Sequence, residues 1–412
     1  MTAQSINPGS MTAQSNNPGS MTAQSIDPGS MTAQSINPGL MTLQSIITGA
    51  ECVDEYLPLL IGKRVAILTN QTGLIGNTHL VDSLFALRLN IVSIISPEHG
   101  FRGEADAGQH VSGSVDRKTG IPIKSLYDGT PGKPAASLMK EIDILLFDLQ
   151  DAGVRFYTYL TTMTRMMESC AENGVKMIIL DRPNPLGFYV DGPILDMKYK
   201  SGVGWLPVPT VHGMTLGELA GMINGEKWLP DGLQCDITVI RCKNYTHSSL
   251  YALPVRPSPN LPDMRSIYLY PSTCYFEATP VSLGRGTTTP FQMYGHPNMK
   301  GYNFKFTPRS IPGAKTPPQL NRECYGVDLR TEPSVEEINS KGINLEYIID
   351  AYKNLNLDDH FFRSFFENLM GQSYVRKMIK EGKSAAEIKA MWKDDVEKFR
   401  EQRRPYLLYP EN

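Results

Sequence analysis

The chain has 412 residues, of which 41% are hydrophobic and 20% charged, with a formal net charge of −2; this is a soluble globular composition, with apolar material for a core and length for two domains. The near-zero charge gives no reason to expect nucleic acid or an anionic membrane as partner, and without an 18-residue apolar run no membrane span is expected. The six cysteines contain no C-x-x-C, which argues against a zinc site or a disulfide-dense scaffold; Cys170 reads as a core residue on an apolar helix face.

Residues 1–40 are four copies of a decapeptide close to Met-Thr-Ala-Gln-Ser-Ile-Asn-Pro-Gly-Ser, and Asp27 is the only charged residue in the first 50. Each Asn/Asp-Pro-Gly is a turn signal, and the unit is too polar to bury a face against its neighbours. Residues 1–44 are therefore expected to be a disordered tail. The first 50 residues also hold no Lys or Arg and no apolar h-region, so no signal peptide is legible.

The ordered chain is expected to begin at 45. Arg64 to Asn70 reads as a strand ending in Asn70, Gln71 and Thr72, and residues 79–89 as a helix. Ile91 to Ile95 reads as a buried strand running into Ser96-Pro97-Glu98-His99-Gly100-Phe101-Arg102-Gly103. That loop gathers an acid, an imidazole and a guanidinium (Glu98, His99, Arg102) where an open α/β sheet binds ligands, at a strand's carboxyl end. Residues 143–149 form a third strand, ending in Gln150-Asp151-Ala152-Gly153-Val154-Arg155-Phe156-Tyr157-Thr158-Tyr159. An apolar stripe at 3.6-residue period predicts a helix over 156–173. Residues 176–180 are a fourth strand, ending in Asp181-Arg182-Pro183-Asn184-Pro185-Leu186-Gly187. One such loop is explained by capping and surface ion pairs; three in succession point to a polar cleft. Strand and helix in alternation imply a parallel sheet with right-handed crossovers.

Thr215 and Glu218 have capping-box spacing at the start of a further helix, and residues 236–242 alternate like a strand. Pro254, Pro257, Pro259 and Pro262 make a stiff connection, and the domain boundary is expected just after it, between 264 and 265. The second part contains Phe276-Glu277-Ala278-Thr279 and Leu283-Gly284-Arg285-Gly286-Thr287, then helices near 345–355, 358–371 and 385–403, the last with a solvated face.

No G-x-G-x-x-G follows the first strand, and G-x-x-x-x-G-K-[ST], G-x-S-x-G and H-E-x-x-H are all absent, which weighs against a dinucleotide enzyme, a P-loop enzyme, an α/β-hydrolase and a zincin. His99, His110 and Asp181 fit no common metal-ligand spacing; no metal and no cofactor are expected.

The motifs at 69–73, 96–103, 148–159 and 181–187, with Tyr270-Pro271-Ser272-Thr273-Cys274-Tyr275-Phe276-Glu277 and Ser282 to Phe291, resemble in the same order those of the NamZ family of exo-β-N-acetylmuramidases. The resemblance covers about residues 45–412. It implies a Rossmann-like parallel-sheet N-terminal catalytic domain (45–264) and a smaller α/β (α+β) C-terminal auxiliary domain (265–412), with the site in a cleft. It also implies release of N-acetylmuramic acid from non-reducing ends of peptidoglycan chains, in the periplasm or outside the cell; with no legible signal, a cytoplasmic location stays open. The Pro-Glu-His-Gly glutamate, carried over, is Glu98.

Glycoside hydrolysis normally takes two carboxyl groups. Glu98 is the expected acid, Glu277 its expected partner, and Asp151 the alternative, although a helix-start position also suits Asp151 for capping. The lactyl carboxylate of muramic acid calls for an arginine: Arg102, Arg155, Arg182 and Arg285 are candidates. Arg155 comes first, because it opens a helix whose N-terminus favours an anion. Asn70, His99, Tyr157, Asp181 and Asn184 complete the expected sugar-binding set. The competing expectation is a non-catalytic module that binds peptidoglycan fragments, needing arginines and aromatics but not two carboxylates.

Overall fold

In the computed structural model, which describes residues 45–97, 101, 115–126, 133–134 and 136–412, each apolar run of the first half becomes a strand. In chain order these are β1 (Val65–Thr69), a small hairpin of β2 (Leu74–Ile75) and β3 (Thr78–His79), then β4 (Ile91–Ser96), β5 (Ile123–Ser125), β6 (Ile144–Asp148), β7 (Lys176–Leu180) and β8 (Ile237–Ile240). Six of them form a parallel sheet in the order β5-β4-β1-β6-β7-β8. The sheet grows outward from β1 in one direction, then restarts beside β1 with β6. This is doubly wound topology, and the reversal opens a crevice at the carboxyl ends of β1 and β6.

The runs are continuously apolar because both faces of the sheet are covered. Val65, Ile67, Ile144, Leu146, Ile178 and Leu180 pack on one side against Tyr56 and Leu60 of α1 (Val53–Leu60) and Leu80 and Leu84 of α2 (Leu80–Ala86). The alternate residues Ala66, Leu68, Leu145, Phe147, Met177 and Ile179 belong to the opposite core. There they join residues of α3 (Ala136–Glu141), α4 (Tyr159–Asn173) and α5 (Leu216–Gly225). Each fully buried Leu or Ile contributes roughly 1.5–3 kcal/mol of transfer free energy.

Local signals account for the helix starts. Thr215 and Glu218 form the expected capping box at α5. The helix expected from 156 begins three residues later, at Tyr159. Val154 bridges Val211, and the Arg155 N–H donates to Thr210 O at 2.8 Å, so this backbone is engaged with a neighbouring segment.

The second half begins with α6 (Met264–Thr273) and a 3-10 turn over Cys274–Ala278. An antiparallel sheet follows, ordered β10-β11-β9, from β9 (Met293–His296), β10 (Phe304–Phe306) and β11 (Cys324–Asp328). Helices α7 (Val335–Lys341) and α8 (Glu346–Leu355) come next. The helix expected over 358–371 is a 3-10 turn at Asp358–His360 and α9 (Phe366–Met370), because the Arg363 N–H is drawn to Ala278 O. After α10 (Tyr374–Lys380), the helix expected over 385–403 divides into α11 (Ala385–Ala390) and α12 (Lys393–Arg403). Buried Trp392 lies at the break, its indole N–H donating to Asp191 Oδ1 at 2.9 Å.

Residues 45–412 make one compact unit. The expected boundary after 264 falls at the first residue of α6, yet Phe156 and Met163 share a core with Tyr270, Tyr275 and Phe366.

Candidate active site

The loops at the carboxyl edge divide into those that hold the scaffold and those that face a cavity. At the end of β6, Arg182 clamps Asp148: Nε donates to Oδ1 at 2.5 Å and Nη2 to Oδ2 at 3.0 Å, with Leu74 O at 3.1 Å from Nη2. Both side chains are buried. Asp181, at the end of β7, accepts from Gly217 N, Thr215 Oγ1 and the Tyr409 hydroxyl at 2.6–2.9 Å, tying α5 and the chain's last residues to the sheet. Burial raises its carboxyl to about 6, against the opposing hydrogen bonds from Tyr409 and Thr215. Asn184 donates to Met214 O and accepts from Leu186 N, holding its own turn.

Arg155, expected first to read the substrate's carboxylate, is fully buried. Its Nη1 donates to Pro193 O and Val208 O at 2.8 Å, and its Nη2 to Leu369 O at 2.9 Å. Gly371 closes against it in a left-handed conformation (φ 84°), where a Cβ would come within 2.6 Å of Nη2. The guanidinium thus joins three chain segments and does not line the cavity described below.

Asp151 is also buried. Its Oδ2 accepts from Gly153 N at 2.8 Å, and His212 Nε2 lies 3.8 Å away. Met214 N donates to His212 Nδ1, so the neutral ring carries its proton on Nε2. Asp151 Oδ1, His212 Nε2 and Gln150 Oε1 take no hydrogen bond among the described residues. Burial raises Asp151 to about 7 and lowers His212 to about 3, so near pH 5 both are neutral.

A cavity of about 140 Å³ opens between the start of α4, the 258–261 segment and the 3-10 turn after α6. Tyr157, Tyr159, Tyr270 and Phe291 supply aromatic walls, while Glu277 and Arg285 supply charge. Arg285 Nε donates to Glu277 Oε1 at 2.9 Å, and Nη2 donates to the same oxygen. Both side chains keep about a quarter of their surface exposed, and the guanidinium lies over Phe291, 5.4 Å from the ring centroid. Gly286 (φ 82°) packs so closely on Arg309 that a Cβ there would sit 2.5 Å from the carbonyl oxygen. This is a backbone requirement that fixes Arg285's loop.

The crevice over β1 and β6 adjoins this cavity. Asn70 Nδ2 donates to the Tyr159 hydroxyl at 2.5 Å, and Asn70 Oδ1 accepts from Thr72 N and Oγ1. The Tyr157 hydroxyl donates to Pro257 O at 2.9 Å, as does Gln71 Nε2 at 3.2 Å. Of the expected site residues, then, the structure gathers Tyr157, Glu277 and Arg285 in one wall with Asn70 behind Tyr159. Asp151, Arg155, Asp181, Arg182 and Asn184 hold the surrounding loops. Glu98, His99 and Arg102 lie outside the described residues.

Ser258 and Asn260 in the wall were not anticipated. The four prolines that read as a connection are the signal that a fixed, non-helical wall was being built. Among the described residues no group of three or more His, Cys, Asp or Glu is arranged to hold a metal ion, and no helix is long and apolar enough to cross a membrane.

Residues 65–265 match the family model for the N-terminal part of exo-β-N-acetylmuramidase NamZ, and residues 268–409 match that for its C-terminal part. The chain is 38% identical over 378 residues to the peptidoglycan β-N-acetylmuramidase NamZ of Bacillus subtilis strain 168, covering 86% of this chain and 89% of that protein. Two crystal structures of DUF1343 family proteins from Bacteroides fragilis NCTC 9343 share the fold. One has a TM-score of 0.84 at 63% identity, spanning 89% of this chain and 100% of the other. The second has a TM-score of 0.74 at 29% identity, spanning 88% and 99%.

Proposed function

The chain belongs to the NamZ family of exo-β-N-acetylmuramidases, which are glycoside hydrolases, and from that premise we propose that it releases N-acetylmuramic acid from the non-reducing ends of peptidoglycan glycan chains. Acting on peptidoglycan, it works in the periplasm or outside the cell. The observation that carries this reading is the Glu277–Arg285 pair in an aromatic-walled cavity beside the β1–β6 crevice. A pyranose ring offers apolar C–H faces to aromatic walls and hydroxyls to polar groups, so the lining suits a sugar.

Glu98 protonates the glycosidic oxygen, and Glu277 attacks the anomeric carbon or activates water. Glu277 is preferred to Asp151 because it lines the cavity, whereas the Asp151 carboxyl is enclosed. Arg285 holds Glu277 through Oε1, which orients the carboxylate. The other arginine nitrogen, Nη1, has no hydrogen-bond partner among the described residues. It is the donor we assign to the lactyl carboxylate, in place of Arg155.

The test is turnover of a chromogenic N-acetylmuramic acid glycoside and of the natural disaccharide by Glu98→Gln and Glu277→Gln. Each loses at least ~10²-fold in kcat. Glu98→Gln loses more on the disaccharide, whose leaving group needs the proton. Near-normal turnover by Glu277→Gln would refute its role. Binding without turnover by the unaltered protein would make it a binding module.

A further inference from the structure

Two cations converge on one indole beside the cavity. Arg165 Cζ lies 4.9 Å and Lys200 Nζ 4.1 Å from the Trp205 ring centroid. Neither side chain makes a hydrogen bond or ion pair among the described residues, and Arg165 Nε is shut from solvent without a partner. Arg155, Arg182 and Arg285 all have carbonyl or carboxylate acceptors, so Arg165 stands apart from them. Two like charges on one ring, with no ion-pair partner among the described residues, repel each other, and an anionic ligand would relieve that repulsion.

The position relates this pair to the sugar site. Val203, two residues before Trp205, lines the cavity, as does Thr158 at the start of α4. Thr158, Thr161 and Arg165 share one face of that helix at i, i+3 and i+7. The buried Thr161 hydroxyl between them also has no partner. Seven residues of helix span roughly 10 Å, so Arg165 sits about two pyranose units along α4 from the cavity-lining Thr158. In a glycan strand freed of its stem peptides, the sugar two units on from a terminal muramic acid is again a muramic acid with a free lactyl carboxylate.

Resting on the proposed activity, we infer that Arg165 and Lys200, mounted on Trp205, form a subsite outside the cavity that binds the lactyl carboxylate of the next muramic acid along the glycan. The cavity thereby recognises the end of the strand, and this rim recognises that the strand continues.

The experiment compares kcat/KM for a muramic-acid-terminated tetrasaccharide with that for the disaccharide, and repeats the tetrasaccharide with its internal lactyl carboxylate converted to the amide. The unaltered enzyme favours the longer acid, and the amide removes the advantage. Arg165→Met lowers the tetrasaccharide-to-disaccharide ratio about 10-fold, chiefly through KM, the effect of one lost charge-assisted hydrogen bond; Lys200→Met does so less. Arg165→Lys restores part of the ratio, which a purely structural role would not produce. An unaltered ratio in both methionine variants, or no preference of the unaltered enzyme for the acid over the amide, overturns the subsite. So does loss of the ratio on Arg256→Ala, an exposed arginine two residues before the cavity-lining Ser258. If the unaltered enzyme cleaves neither saccharide, it is the glycosidase reading that fails.

Discussion

At the scale of single residues, Asp151 and His212 make opposite contributions to stability. An exposed aspartate titrates near 3.8, and burial raises Asp151 to about 7. The folded chain therefore holds an extra proton between those values, and this contribution to stability falls as pH rises through the window. Histidine ordinarily titrates near 6.5, and burial holds His212 at about 3. Over that range the unfolded chain binds the extra proton, and stability rises with pH. The two slopes offset each other between about pH 4 and 6.5. Asp151→Asn uncovers the His212 slope, so stability in denaturant rises by up to about 1.4 kcal/mol per pH unit there. His212→Gln uncovers the Asp151 slope, and stability falls with pH. Parallel pH profiles for both variants and the parent would show that the pair is not coupled to folding.

Arg155 gives a second residue-scale prediction. Removing it takes a donor from three buried carbonyls, of which Val208 O keeps the Leu195 N–H while Pro193 O and Leu369 O are left unmet; at about 1–3 kcal/mol for each unmet group, Arg155→Ala destabilises by at least about 2 kcal/mol in urea titration. A variant as stable as the parent would contradict the tethering role. Sequence alone put this arginine ahead of Arg285, because it opens a helix. What it lacked was the surroundings: the backbone carbonyls of Pro193, Val208 and Leu369 enclose Arg155, whereas Arg285 lines the cavity.

Elements were more legible than residues, for a physical reason. The strands are apolar at consecutive positions because cores lie on both sides, and such runs stand out without any alternation. Ile67, in the centre of β1, is fully buried against α1 and α2. Ile67→Ala costs about 2–5 kcal/mol by equilibrium unfolding; a loss under 1 kcal/mol would mean the site collapses freely on truncation. Element ends were less legible wherever a distant partner claims the backbone: Thr210 delays the start of α4, Ala278 interrupts 358–371, and Asp191 holds Trp392 at the break before α12. Those contacts carry no local pattern. The motif loops announced a polar edge, but among the described residues Asp148, Asp151, Arg155, Asp181 and Arg182 prove to brace the scaffold.

For the whole molecule, the shared core sets the unit of folding. The N- and C-terminal parts of the family meet between 265 and 268, yet Phe156 packs edge-on to Tyr270 and Tyr275 at 5.1 and 5.9 Å. Calorimetry of residues 45–412 is expected to give one transition with matching calorimetric and van't Hoff enthalpies. Residues 45–264 alone expose that aromatic surface and bind a hydrophobic dye. Two resolved transitions would show the halves to be independent.

The bonds that reach back from the far end of the chain bear on how the protein is made. Leu369 O meets Arg155, Leu408 N donates to Glu218, and the Tyr409 hydroxyl donates to Asp181. During synthesis the sheet and its loops leave the ribosome early, but the buried groups of Arg155, Glu218 and Asp181 await partners at 369, 408 and 409. A chain stopped before 408 has its sheet strands but lacks the bonds that Leu408 and Tyr409 make to Glu218 and Asp181.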